Sequence, residues 1–263
     1  MRREWSLRTK KKELPGRSRS PEEWIYGLNP VLEALKGGRR LSSVYLSSSR
    51  REKLLDIEEA LAKRGMQAKK VDDSFFEERF VKGHQGIAAR IEQREYADLE
   101  DLLLIPGQAG QAPLFLIIDG IEDPRNFGSI LRVADAGGVH GVVIQSHRSA
   151  SLTAEAVKAS AGAAEHVQIS MVPNIKHAMR VMKDSGIDII GAEAEGGTTV
   201  WETDLTGPVA LVVGSEAGGM RRTVKEHCDR IVRLPMQGMV NSLNVSVATG
   251  IMIFEIMRQR MRK

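Results

Sequence analysis

The stretch Leu211-Val-Val-Gly-Ser-Glu-Ala-Gly-Gly-Met220 decides the fold. It is a continuous apolar run, begun at Val209, that stops at a glycine turn carrying one carboxylate, Glu216. An unbroken apolar run of this kind is the pattern of a strand covered on both faces. Glycines at 214, 218 and 219 leave the turn's backbone bare, so a ligand can be held by main-chain groups. Upstream the same unit recurs. Residues 114–118 are an apolar run followed by Asp119-Gly-Ile-Glu-Asp-Pro-Arg-Asn-Phe-Gly128 and a helix to Ala136. Strands are expected at 142–145, 166–171, 187–192, 209–213 and 231–234, with helices at 153–164 and 175–183. Strand, turn and helix in repetition predict a doubly wound α/β domain with a mainly parallel sheet over 114–263, its ligands beyond the carboxyl ends of the strands.

Downstream, Pro235-Met-Gln-Gly-Met-Val-Asn-Ser-Leu-Asn-Val-Ser-Val-Ala-Thr-Gly-Ile251 places Asn241, Ser242, Asn244 and Ser246 where a loop gives way to a helix. That helix, expected over 243–260, has almost no polar face before Arg258. A helix apolar all round is buried on every side. Either the sheet and surface loops cover it, or a second subunit does.

The amino-terminal third has a different character. Residues 24–93 read as a small α/β unit: helices at 24–35 (broken at Asn29-Pro30), 53–64 and 75–80, and strands at 43–46, 67–71 and 87–91. From 95 to 113 the chain is acidic and Leu-rich, then Gly-, Pro- and Gln-rich without periodicity, which marks a linker. The expected division is a tail over 1–21, a small domain over 22–94, a linker over 95–113 and the large domain over 114–263.

Charge is unevenly placed. Residues 1–20 hold Arg2, Arg3, Arg8, Lys10, Lys11, Lys12, Arg17 and Arg19 against Glu4 and Glu13, a surplus of six positive charges. Against a whole-chain net of +4, the remainder carries a net −2. A basic tail without apolar periodicity is expected to be disordered and suits a polyanion through counterion release. The single cysteine, Cys228, excludes an intramolecular disulfide and a Cys-rich zinc site. No apolar run approaches the roughly 20 residues that span a bilayer, and no apolar signal core opens the chain; a soluble cytoplasmic protein is expected, with no membrane and no metal.

Common cofactor signatures are absent. No Gly-x-Gly-x-x-Gly follows an early strand, and there is no Gly-Lys-Ser phosphate loop, Gly-x-Ser-x-Gly elbow or zinc-spaced histidine pair. Dinucleotide-dependent oxidoreduction, ATP chemistry, serine hydrolysis and zinc chemistry thereby lose their support. Position alone leaves Asn126 between capping the helix after Pro124 and facing a ligand. Glu216 is left between capping a helix, pairing with Arg221 or Arg222, and facing a ligand; Arg132 is an ordinary surface cation.

Together, however, Asp119-Gly-Ile-Glu-Asp-Pro-Arg-Asn-Phe-Gly-Ser-Ile-Leu-Arg132, Gly214-Ser-Glu-Ala-Gly-Gly-Met220 and Leu234-Pro-Met through Ser242-Leu-Asn-Val-Ser-Val-Ala to Gly250 resemble, in order and spacing, the three motifs of the SpoU (TrmH-like) branch of the SPOUT RNA methyltransferases. Tyr26-Gly-Leu-Asn-Pro30 and His84-Gln-Gly-Ile-Ala88 resemble that family's amino-terminal substrate-binding domain, which is similar to ribosomal protein L30e. Arg221-Arg-x2-Lys-Glu-His-Cys228 and Ser242 to Ile251 look most like the family's 23S rRNA guanosine 2′-O-methyltransferases. The resemblance implies a deep trefoil knot in the large domain and a homodimer with the active site at the subunit interface. It also implies S-adenosyl-L-methionine held near Gly214, Leu234, Met236 and Leu243, and a catalytic set of Asn126, Arg132, Glu216, Ser242 and Asn244. Arg132 is expected to reach across the dimer. The implied partner is 23S rRNA or a pre-ribosomal particle; the same chemistry on tRNA or another rRNA site, and a non-catalytic assembly factor, are the alternatives. The chain departs from the family pattern at Ala217, Gly218 and Asn241.

Overall fold

The computed structural model describes residues 22–37, 39–49, 55–80, 83–92, 95–147, 149–216 and 218–261. The basic stretch 1–20 and Ala217 lie outside the described residues. Two sheets organise the chain.

The first is built from β1 (Glu22–Tyr26), β2 (Leu41–Ser47), β3 (Lys69–Val71) and β4 (Ile87–Glu92), in the order β1-β4-β2-β3. Only β2 and β3 run parallel. Helices α1 (Leu28–Lys36) and α2 (Leu55–Lys63) bring Val31, Leu35, Ile57 and Leu61 to the same apolar core as Ile25, Val44, Leu46, Ala89 and Ile91 of the sheet. The short α3 (Asp73–Glu77) follows β3. The helix expected over 24–35 is therefore a strand and a helix joined at Gly27. Ile25 enters the core with α1, while Trp24 and Tyr26 belong to a separate aromatic cluster, and that period of two belongs to a strand.

The segment read as an irregular linker carries α4 (Leu99–Ala109). Leu99 and Leu102, three apart on one face, are buried with Phe115 and Val143. Their burial outweighs the poor helix propensity of Pro106 and Gly107; Gly110 at φ 64 ends the helix.

The second sheet is wholly parallel. Its strands are β5 (Leu114–Asp119), β6 (Gly141–Gln145), β7 (Ile169–Val172), β8 (Asp188–Ala192), β9 (Thr198–Thr199), β10 (Val209–Gly214) and β11 (Arg230–Arg233), in the order β7-β6-β5-β10-β8-β11-β9. Alternate residues of β5 serve opposite cores. Leu114, Leu116 and Ile118 cluster with residues of α5 (Pro124–Ala136), α6 (Ala154–Ala159) and α9 (Val245–Arg260). Phe115 and Ile117 cluster with α4, α7 (Ile175–Asp184) and α8 (Arg222–Lys225). Every residue of β5 and β10 is buried, as the continuous apolar runs require.

Two further expectations change. The Ala-rich helix over 153–164 stops at Ala159; Ala161 and Gly162 take φ of 52 and 104, and a single 3₁₀ turn follows. The reason is the neighbouring small domain. A Cβ on Gly162 would stand 2.4 Å from Glu33 Cγ. Across the same joint Glu33 meets His166 at 3.1 Å and the half-buried Arg39 meets Glu165 at 2.5 Å. Nor is α9 buried on every side: Val247, Ile251 and Phe254 are 51%, 36% and 49% exposed. Their spacing places them along one stripe of the helix.

Candidate active site

The site forms where the strand order reverses, between β5 and β10, at the carboxyl ends of the strands. Asp119 ends β5 and is fully buried. It accepts hydrogen bonds from the Arg221 backbone N–H at 2.8 Å and from Arg221 Nε at 2.7 Å, and Arg221 Nη2 also donates to Gln145 at 2.6 Å. This clamp ties the β5 turn to the chain that follows the Gly214 turn. It also removes Arg221 as a partner for Glu216. Replacing Asp119 with Ala strands the clamp's donors around a cavity, and with Arg221 still half in water we expect a loss near the lower end for broken buried pairs, about 3 kcal/mol. A denaturant titration of Asp119→Ala checks it.

The turn itself is closed by paired backbone hydrogen bonds: Ser215 N–H donates to Gly219 O at 3.0 Å and Gly219 N–H to Ser215 O at 2.8 Å. Gly214 has no room for a side chain, since a Cβ there would stand 2.0 Å from the Gly219 carbonyl carbon and 2.1 Å from Met220 N. Glu193, one residue past β8, accepts from Met220 N–H at 3.1 Å and faces Lys225 at 3.6 Å.

Three motif side chains meet at the rim. Asn126 Nδ2 donates to Glu216 Oε1 at 2.8 Å, and Asn244 Nδ2 donates to the same oxygen at 2.8 Å and to Asn126 Oδ1 at 3.0 Å. Asn244 is also the N-cap of α9, its Oδ1 accepting from the N–H of Ser246 at 2.9 Å and its hydroxyl at 2.6 Å. Those two donors fix which way the amide points: with Oδ1 turned to the helix, Nδ2 must face Glu216. Asn126 is free for this contact because Asp123 caps α5 instead. Among the described residues, Glu216 Oε2 has no hydrogen-bond partner.

Below this rim lies a cavity of about 450 Å³. Gly214, Leu234, Met236 and Leu243 all line it, together with Glu216 and Ser242. A wider groove of about 630 Å³ runs along α4 from Asp101 to His166, but it holds none of the motif residues; the smaller cavity is where the chemistry gathers. Two carboxylates of its wall, Glu193 and Glu195, escaped the reading of motifs. Their place just after a parallel strand was the available signal. Ser242 lines the cavity without a bond to the asparagine pair. Arg132 is exposed on α5 and has no ion-pair partner among the described residues. Six residues on from Asn126, it points about 240° around the helix, so one chain does not bring it to the cluster. Cys228 is no nucleophile here, because burial pushes its thiol up to about 12.

The SpoU rRNA methylase family model matches residues 113–254, and the model for RNA 2′-O ribose methyltransferase substrate binding matches residues 24–97. The chain belongs to the SpoU rRNA methylase family. It is 42% identical to the 23S rRNA (guanosine-2′-O-)-methyltransferase RlmB of Escherichia coli (strain K12), over 90% of this chain and 99% of that protein. It is 38% identical to the putative TrmH family tRNA/rRNA methyltransferase YacO of Bacillus subtilis (strain 168), over 90% of this chain and 96% of that one. Its fold superposes on the AdoMet-bound rRNA methyltransferase from Sinorhizobium meliloti with a TM-score of 0.73 and 25% identity, covering 90% of this chain and 87% of that one. A SpoU member with this paired asparagine arrangement offers a direct test of the rim. Asn244→Asp keeps a helix cap of equal rank but sets a second carboxylate against Glu216. The expected result is a lowered melting temperature at neutral pH with methyl transfer reduced at least about tenfold, and partial recovery of both at lower pH as the pair takes up a proton.

Proposed function

We propose that this protein transfers the methyl group of S-adenosyl-L-methionine to the ribose 2′-oxygen of a guanosine in 23S rRNA. The observation that carries the reading is the meeting of Asn126, Glu216 and Asn244 at the mouth of a cavity lined by Gly214, Leu234, Met236 and Leu243. The cavity fits the donor. Its volume lies within the usual range of small-ligand sites; apolar walls suit the adenosine, and Glu193 and Glu195 suit its cationic sulfonium and ammonium groups. When bound, the donor supplies an activated methyl.

Glu216 Oε2 accepts the hydrogen bond of a ribose 2′-hydroxyl, turning an oxygen lone pair toward that methyl. Asn126 and Asn244 hold the carboxylate in position through its other oxygen. As the oxygen–methyl bond forms and the methyl–sulfur bond breaks, the hydroxyl proton leaves through the Glu216 carboxylate to an RNA phosphate or to water. A guanidinium, with a pKa above about 12, rarely serves as the base. Arg132 instead binds the target phosphate and stabilises the developing negative charge. Arg132→Lys, which keeps the charge but loses the planar fork, is expected to cut turnover at least tenfold; near-normal turnover would defeat the phosphate clamp.

For Arg132 to act there, a second copy must supply it. The exposed stripe Val247, Ile251 and Phe254 on α9 supports a homodimer across that helix. We further infer the trefoil knot of the family: residues 234–244 leave β11, line the cavity and deliver α9 against α5 and β10. The division at 95–113, with the small domain and the basic tail recruiting RNA, and a cytoplasmic site of action belong to the same reading. Among the described residues no helix is long and apolar enough to cross a membrane. Mapping 2′-O-methyl groups in rRNA and tRNA from a strain lacking the gene, with and without its restoration, tests the proposal. Loss of one 23S rRNA guanosine methylation that returns with the gene is expected; an unchanged map defeats it, and a lost tRNA mark moves the substrate.

A further inference from the structure

The small domain's sheet has one face on α1 and α2, and its other face is not the polar surface that such sheets usually show to water. Of the chain's three Trp, three Tyr and six Phe, that side gathers Trp24, Tyr26, Tyr45, Phe75, Phe76 and Phe80. Strand register explains the placement. Trp24 lies opposite Arg90, and Tyr45 opposite Ala88 and Lys69, so these side chains share a face. Tyr45 stacks on Phe75 at 4.8 Å between centroids and 19° between planes, and Trp24 stands 5.3 Å from Tyr45.

Only Phe76 is fully buried; Trp24, Tyr45 and Phe75 remain half-buried. Exposed cations ring them. Arg79 lies 4.3 Å over Phe75, Arg90 4.8 Å over Trp24, and Lys69 5.3 Å over Tyr45. A plain mini-core needs none of these charges, and an ordinary solvated face needs no such rings. Half-buried rings whose outer faces are held by exposed cations suit unpaired nucleotides: a base takes over the ring face as the long cationic side chain turns to the phosphate. The platform is joined to the reaction site, because Lys158 of α6 lies 5.0 Å over Tyr26 and α6 packs on α5, which carries Asn126.

We infer that this face, centred on Trp24, Tyr45 and Phe75, stacks unpaired bases of the RNA substrate while Lys69, Arg79 and Arg90 take the flanking phosphates. The inference rests on the RNA methyltransferase reading above and names the surface that grips the RNA. It assigns the small domain single-stranded RNA, not duplex.

The test uses the full chain with Trp5→Phe and Trp201→Phe, which leaves Trp24 as the one tryptophan. Titration with single-stranded RNA of about 12 nucleotides, within the span such surfaces bind, is expected to quench Trp24 emission, and the same RNA annealed to its complement to bind at least tenfold more weakly. Tyr45→Leu is expected to weaken single-strand binding about tenfold and to raise KM for rRNA with kcat little changed. The exposed pair Lys69→Ala and Arg79→Ala, which leaves the rings packed, is expected to lower the slope of log affinity on log salt by about 1.4. Unmoved Trp24 emission at saturating RNA, equal binding of duplex, or unchanged KM in both variants overturns the platform while a methylating wild type keeps the function. If the wild type methylates no RNA, the function reading fails and takes the platform with it.

Discussion

Glu216→Gln should lower the rate of methyl transfer at least about 100-fold while S-adenosylmethionine affinity and melting temperature stay near wild type. Glutamine is the informative replacement because its Oε1 can still accept from Asn126 and Asn244, at the 2.8 Å positions that Glu216 Oε1 occupies. The rim therefore keeps its shape. What changes is the atom facing the ribose: an acceptor oxygen becomes an N–H donor, which turns the 2′-hydroxyl the wrong way round and removes the local negative charge. Groups that manage a reacting proton contribute typically about 10²- to 10⁴-fold. Single-turnover methylation of an rRNA fragment, with calorimetry for the methyl donor, separates the steps. A rate within a few-fold of wild type would show that Glu216 holds the asparagines and does nothing more.

Gly214→Ala should act on the other component, the cavity floor. A Cβ at 214 meets backbone at 2.0, 2.1 and 2.3 Å, the Gly219 and Met220 peptide, so no rotamer change can relieve it. The turn must open, breaking the Ser215–Gly219 pair that closes it. Overpacking of this kind costs about 3 kcal/mol, which for a chain of this size lowers the melting temperature by roughly 6–12 °C. Because the displaced backbone lines the cavity, donor affinity is expected to fall at least tenfold as well. Calorimetry and thermal unfolding on one preparation check both; donor binding at wild-type strength would mean that the turn is not part of the floor. The two variants are thus expected to divide the site, Glu216→Gln sparing binding and Gly214→Ala weakening it.

The platform inferred on the small domain is separable from both. Its variants are expected to change KM for RNA, whereas those at the rim are expected to change the rate and those at the floor donor affinity.

The amino-acid sequence by itself determined the parallel sheet, since the unbroken apolar runs into Gly120 and Gly214 have no other economical burial. Its resemblance to the three family motifs also singled out Asn126, Arg132, Glu216, Ser242 and Asn244, and Leu234, Met236 and Leu243 beside Gly214; the tertiary structure brings Asn126, Glu216 and Asn244 together and leaves Arg132 apart. Choices that depend on what lies next in space were not written locally. The 95–113 segment looked like a linker because Pro and Gly dominate its propensity, yet burial of Leu99 and Leu102 makes it α4. Residues 153–164 looked like one helix until Glu33 of the other domain demanded a turn at Gly162. Glu216 had Arg221 as its nearest cation in sequence, and only the fold gave Arg221 to Asp119, 102 residues away, leaving the carboxylate to two asparagines. The outcome differs because propensity and periodicity are properties of neighbours along the chain, whereas burial and hydrogen-bond partners are settled among residues that only the tertiary structure makes neighbours.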